Sequence, residues 1–240
     1  GSDYSDVTFN NIALGGKEWD SNNLNFSMDN FIVRQIAATE PTVSVAAPVT
    51  LSPGTMTAAG SITVSGVLTI TAGTFDAADK TITLSGSGTP FVKTGTFTAS
   101  TSTIKYQGTG ATNITAAVYY ILELSPPSGT PTYTLASGTI ETTNNFINGD
   151  GVNALTANAT TNDAIVNIDG SFTNSASATF VASNSASFSI ASNYTNSGTF
   201  TDSGGTLVLD GQGLQTITSG GTDADHDFTN LTVTNNSVAG

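Results

Sequence analysis

The residues best equipped for chemistry cluster in one short run, Asp223-Ala224-Asp225-His226-Asp227. Carboxylates at alternate positions can turn their oxygens toward one hard cation, so Asp223, Asp225 and Asp227 form a candidate calcium loop. An EF-hand would place Gly next and a Glu further on, and neither is there. The plainer expectation is a solvated acidic loop. His226 is the single histidine and there is no cysteine, so a transition-metal site lacks its usual ligands. Calcium is the one cofactor the sequence brings to mind. Glycoside hydrolysis needs two facing carboxylates. Asp76 with Asp79, or Asp163 with Asp169, could be nominated, but acids are expected in turns anyway. No Gly-x-Ser-x-Gly elbow, P-loop or dinucleotide fingerprint falls in a proper context. The chain reads as a non-enzyme.

Composition limits the partners. The 240 residues carry 5 Lys plus Arg against 18 Asp plus Glu, a net charge of −13. Nucleic acid and anionic membrane surfaces both demand basic side chains, and five scattered ones do not suffice. No stretch is long and apolar enough to span a bilayer as a helix, so membrane insertion is not expected. Thr, Ser, Asn and Gly make up nearly half of the chain, which disfavours long helices.

The elements that must position these residues are repeats. Gly95-Thr96-Phe97-Thr98 recurs as Gly198-Thr199-Phe200-Thr201, and Thr103–Gly108 aligns with Thr206–Gly211. A third motif begins at Phe9, Tyr119 and Phe228, at two nearly equal intervals. These starts divide the chain into a leading segment 1–8 (Gly1-Ser2 reading as a cloning scar or a processed terminus), a unit 9–118, a unit 119–227, and 228–240 as the opening of a third unit or a docking strand. The aligned stretch from Thr218 to Phe228 is longer than that from Thr115 to Tyr119, so the acidic run sits in an insertion.

A shorter period lies inside the long one. Ile62-Thr63-Val64, Ile82-Thr83-Leu84, Ile104-Lys105-Tyr106, Val166-Asn167-Ile168, Phe188-Ser189-Ile190 and Leu207-Val208-Leu209 each alternate apolar and polar residues before a small residue. The small residues at 66, 86, 108, 129, 149, 170, 192 and 211 step by 19 to 22. Period-two alternation predicts half-buried strands, with Gly, Asn, Asp and Ser at the turns. The fold class is therefore all-β. The favoured architecture is a parallel β-solenoid, or β-helix, with coils of about 20–22 residues whose apolar sides stack into one core. Eleven such coils would make a rod roughly 55 Å long at the usual strand spacing. The alternative is a string of immunoglobulin-like β-sandwich domains of about 110 residues. Thr-x-Thr triplets such as Thr81-Ile82-Thr83 raise ice binding. However, the outward residues of successive strips (Thr63, Thr83, Lys105, Glu123, Asn167, Ser189, Val208, Thr232) form a mixed column.

The Gly-Thr-Phe-Thr runs, Gln215-Thr216-Ile217-Thr218 and Phe228-Thr229-Asn230-Leu231-Thr232-Val233 resemble the repeats of very large bacterial surface proteins. That resemblance covers most of the chain in composition and repeat style. It implies an extracellular or cell-surface stalk, adhesin or filament. The expected function is a rod-like structural segment, self-associating end to end or continuing in a longer array. Phe228, Leu231 and Val233 would supply one docking strand and Phe9, Ile12 and Leu14 its counterpart. The alternative function is a glycan- or calcium-binding adhesion module, with ice binding and polysaccharide chemistry further behind.

Overall fold

The computed structural model describes residues 43–45, 49–51, 54–223 and 226–236. Within them the alternating strips become 26 short strands, and there is no α-helix. Parallel strands cannot be joined by tight hairpins. Here most strands instead pair with the third strand after them, so three strands and three corners make one turn.

Face one is a single nine-stranded sheet. It runs β1 (Val43–Val45), β4 (Ile62–Val64), β7 (Thr81–Leu84), β10 (Thr103–Tyr106), β13 (Ile121–Leu124), β16 (Phe146–Asn148), β19 (Phe172–Asn174), β22 (Tyr194–Asn196) and β25 (Ile217–Thr218). Face two holds β2 (Val49–Leu51), β5 (Leu68–Ile70) and β8 (Phe91–Lys93). After a break spanned by the Gly88–Thr112 bridge it continues as β11 (Thr112–Ile114), β14 (Thr132–Leu135), β17 (Leu155–Asn158), β20 (Ala178–Val181) and β23 (Thr199–Thr201). Face three holds β3 (Thr55–Thr57), β6 (Thr74–Asp76) and β9 (Thr96–Thr98). It resumes as β12 (Val118–Tyr119), β15 (Thr139–Thr142), β18 (Ile165–Ile168), β21 (Ser187–Ile190), β24 (Thr206–Leu209) and β26 (Asn230–Val233). The chain is thus an all-β parallel β-solenoid of about eight turns, roughly 40 Å of stacked strands. Tandem sandwiches are overturned, because sandwich sheets are antiparallel and every pairing among the described strands is parallel.

Turn length varies more than the even spacing in the sequence implies. On face one, Val43, Ile62, Ile82, Ile104, Leu122, Phe146, Phe172, Tyr194 and Ile217 stand in register. The shortest interval runs from Ile104 to Leu122, and the two longest run from Leu122 to Phe146 and from Phe146 to Phe172. Those two long turns shift the count by one strand. The strips at Ile62, Ile82 and Ile104 therefore lie on face one, whereas those at Val166, Phe188 and Leu207 lie on face three. The two Gly-Thr-Phe-Thr copies, β9 and β23, likewise fall on different faces. The boundary at 118/119 divides β12, and face one runs past it unbroken from β10 to β13.

The core is a set of columns running along the stack. Ile62, Ile82, Ile104, Leu122, Phe146, Phe172 and Tyr194 are all buried on face one. Phe180 and Phe200 stack on face two with centroids 6.1 Å apart and planes 7° from parallel. Such ring pairs add about 0.5–1.5 kcal/mol beyond their burial. Corner glycines answer a steric need. A Cβ on Gly86 would lie 2.9 Å from both the Gly66 and Ser65 carbonyl oxygens of the turn below, so glycine lets successive corners approach to strand spacing.

Candidate functional site

Outward side chains can now be placed in their true rows. The mixed column expected from sequence joins residues of two faces. On face one the outward row is Thr63, Thr83, Lys105, Glu123, Ile147, Thr173, Thr195 and Thr218. Lys105 Nζ lies 2.8 Å from Glu123 Oε1, an ion pair between adjacent turns. Face two carries an unbroken row, Thr132, Thr156, Thr179 and Thr199. Its second row, Asn113, Thr134, Asn158, Val181 and Thr201, is mixed. The five strands β11, β14, β17, β20 and β23 contain no charged residue, whereas each of the other four sheets has at least one among its described residues.

The acidic insertion occupies a specific place. After β25 the chain reaches β26 on face three with no described strand on face two between them. Asp223 Oδ1 pairs with His226 Nδ1, so one carboxylate of the candidate calcium loop is engaged inside the loop. Asp227 is exposed, and Asp225 lies outside the described residues. Among the described residues no three His, Asp or Glu side chains gather closely enough to share a metal ion.

Of the nominated catalytic acids Asp76 ends β6, and Asp79, Asp163 and Asp169 sit in turns. Asp76 Oδ1 accepts from the Ala78 amide at 2.8 Å and the Ser100 hydroxyl at 2.7 Å. It thereby ties together two corners whose residues Ala78 and Ser100 both take positive φ. Asp79 lies 3.0 Å from Lys80 Nζ, which holds its carboxyl below the usual range. Asp163 accepts from the Ser183 hydroxyl at 3.3 Å on the next turn. Asp169 follows β18 in the corner leading to face one.

Of the proposed docking residues, Phe9, Ile12 and Leu14 lie outside the described residues. Phe228 is half-buried, its ring 5.2 Å from Tyr194 and 5.5 Å from Phe200. Leu231 and Val233 stand in register with Leu207 and Leu209. Leu207 and Leu209 are each 4% exposed, whereas Leu231 is 46% and Val233 62% exposed. The same core columns are thus buried one turn below and open at β26.

The most ordered polar feature was not anticipated. At the ends of β16, β19 and β22, Asn148, Asn174 and Asn196 point inward, fully buried, in one column. Asn148 Nδ2 donates to Asn174 Oδ1, and Asn174 Nδ2 donates to Asn196 Oδ1, both at 2.8 Å. The same amides reach across to the Thr179 and Thr199 carbonyls, at 3.1 and 2.9 Å. A carboxamide both donates and accepts, so identical residues can chain from turn to turn. The sequence carried the signal in Phe146-Ile147-Asn148, Phe172-Thr173-Asn174 and Tyr194-Thr195-Asn196, an aromatic with Asn two positions on.

Four tyrosines are buried in the core as well. Tyr106 and Tyr119 hydroxyls lie 3.2 Å apart, and Tyr119 donates to the Thr115 carbonyl at 2.6 Å. Tyr133 donates to the Gly108 carbonyl at 2.8 Å. Burial pushes the Tyr106 phenol up to about 12 and also raises those of Tyr119, Tyr133 and Tyr194. These groups act as neutral packing with satisfied hydroxyls; of the four, Tyr194 alone lacks a hydrogen-bond partner among the described residues.

No protein-family description matches this chain, and no curated protein or solved structure matches it either.

Proposed function

We propose that this chain is a non-enzymatic, extracellular structural protein, a rod-like segment of a bacterial surface stalk, adhesin or filament. The observation that carries the reading is the continuous core. One set of apolar columns runs through about eight turns and is still open at Leu231 and Val233. Among the described residues β26 also has no strand on its outer edge. Uncovered apolar positions beside an open strand edge favour addition of another turn, either from a longer chain or from a second copy. Stacked parallel strands place their hydrogen bonds along the stack, so load along that direction is shared by all three faces. Among the described residues no helix is long and apolar enough to cross a membrane. In this reading Phe228, Leu231 and Val233 meet a strand of the Phe9-to-Leu14 type.

Negative-stain imaging and sedimentation velocity test it. Straight rods that lengthen with concentration are expected, and a Leu231→Asp, Val233→Asp double variant should stop the lengthening. If the purified chain stays monomeric at high concentration and native filaments do not contain it, end-to-end assembly is wrong.

A further inference from the structure

Face two holds an open groove of about 410 Å³, a volume in the range of small-ligand sites. Its lining is Thr89, Asn113, Thr115, Ala136, Ser137 and Asn162. Every polar side chain there is a hydroxyl or a carboxamide, and none is charged. Two amides are oriented by the fold. Asn113 Nδ2 donates to Thr89 Oγ1 at 3.0 Å, and Asn162 Nδ2 donates to the Leu135 carbonyl at 2.9 Å. Among the described residues neither Oδ1 accepts a hydrogen bond, so two fixed acceptors stand at the groove. Thr115 Oγ1 is likewise held, donating to the Phe91 carbonyl. The uncharged row of Thr132, Thr156, Thr179 and Thr199 lies on the same face, two residues along the strands from the row that holds Asn113.

The geometry points to a neutral polysaccharide as the ligand of this face, one saccharide unit seated in the groove and the chain continuing over the uncharged strands beside it. Fixed acceptors beside hydroxyl groups match sugar hydroxyls, which both donate and accept. An anionic glycan would meet no cation in the lining. Ice fits less well. A lattice surface calls for a flat array of one short hydroxyl, whereas the groove is concave and Asn113, Asn158 and Val181 interrupt the second row. Single-site affinity would be weak, and repetition along a surface would strengthen it by avidity. The inference does not depend on end-to-end assembly, since a monomer presents the same face.

The test uses the whole chain. Cellohexaose, chitohexaose and maltohexaose are titrated against the isotope-labelled protein by NMR, with oligogalacturonate as the anionic control and ice recrystallisation inhibition measured in parallel. At least one neutral hexasaccharide should shift the amide signals around Asn113, Ser137 and Asn162, and oligogalacturonate should not. Ser137→Glu, at an exposed position, should weaken that binding at least tenfold. Ser189→Glu on face three should leave it unchanged, and thermal unfolding of both variants should stay native-like. No shift with any neutral glycan, equal binding by Ser137→Glu, preferred binding of oligogalacturonate, or ice activity without glycan binding would each overturn the inference.

Discussion

Asn148 Nδ2 donates to Asn174 Oδ1 at 2.8 Å inside the core, while Asn148 Oδ1 has no partner among the described residues. The asymmetry follows from the column. One turn above Asn148 stands Asn174, and one turn below stands Leu124, preceded by Tyr106, Leu84 and Val64. The ladder therefore begins abruptly against an apolar column, and its first residue keeps one acceptor unpaired.

Position in the ladder should rank the cost of losing an amide. Asn174→Leu removes the bonds to Asn148, to Asn196 and to the Thr199 carbonyl, although Asn148 keeps the Thr179 carbonyl and Asn196 the Gly198 amide, and is expected to cost about 2–4 kcal/mol at about 0.5–1.5 kcal/mol for each bond. Asn148→Leu extends the apolar column by one turn and moves the orphaned acceptor from Asn148 to Asn174, and because it removes two bonds where Asn174→Leu removes three it should cost less. Urea unfolding of both variants checks the order, and equal losses would contradict it.

Corner glycines should divide into two groups. Gly86→Ala drives a Cβ against two backbone oxygens at 2.9 Å, and Gly108→Ala drives one to 2.7 Å from the Gly86 oxygen. Backbone that is fixed by neighbouring turns yields poorly, so each change should cost about 1–3 kcal/mol. Gly213→Ala meets nothing within 4 Å and should be neutral or slightly stabilising. Melting temperatures of the three variants provide the comparison.

Buried phenols should make the fold sensitive to alkali. Folding raises the Tyr106 phenol to about 12 and raises that of Tyr119 well above its ordinary value, so the folded state favours their neutral forms. The stabilisation is complete below the ordinary tyrosine value of about 10 and disappears as pH climbs from there through about 12. Absorbance at 295 nm and circular dichroism should therefore change together in that window. Phenolate formation by these tyrosines with the β signal intact would disprove it.

The Lys105–Glu123 pair should matter little. Both side chains are partly exposed, and cross-strand ion pairs of this kind are worth at most about 1 kcal/mol. Glu123→Gln should lower stability by that amount or less in low salt, with the difference vanishing in molar salt. A loss several times larger, undiminished by salt, would show that the pair has a larger role.

The short strips were legible because period-two alternation is a local property. Each of Ile62-Thr63-Val64, Ile104-Lys105-Tyr106 and Leu207-Val208-Leu209 does form a strand with its first and third residues inside. Corner glycines were legible for the same reason. The face on which a strip lies was not, because it depends on counting every strand from the start. The long turns from Leu122 to Phe146 and from Phe146 to Phe172 moved the later strips from face one to face three, while the strips kept their even spacing in sequence. The threonine row of face two was hidden by that slip.

By itself, then, the sequence determined an all-β, Cys-free, acidic repeat chain and favoured a stack of parallel turns over tandem sandwiches, since alternating strips of one repeated pattern bury their apolar sides by stacking. The tertiary structure alone decided which residues share a row. Register places Asn174 between two partners, leaves Leu231 on an open core column, and brings Thr89, Asn113 and Asn162 to one uncharged groove. The physical reason is that neighbours along a solenoid lie a whole turn apart in the chain. Their contact is set by the summed length of intervening turns, which no local pattern records.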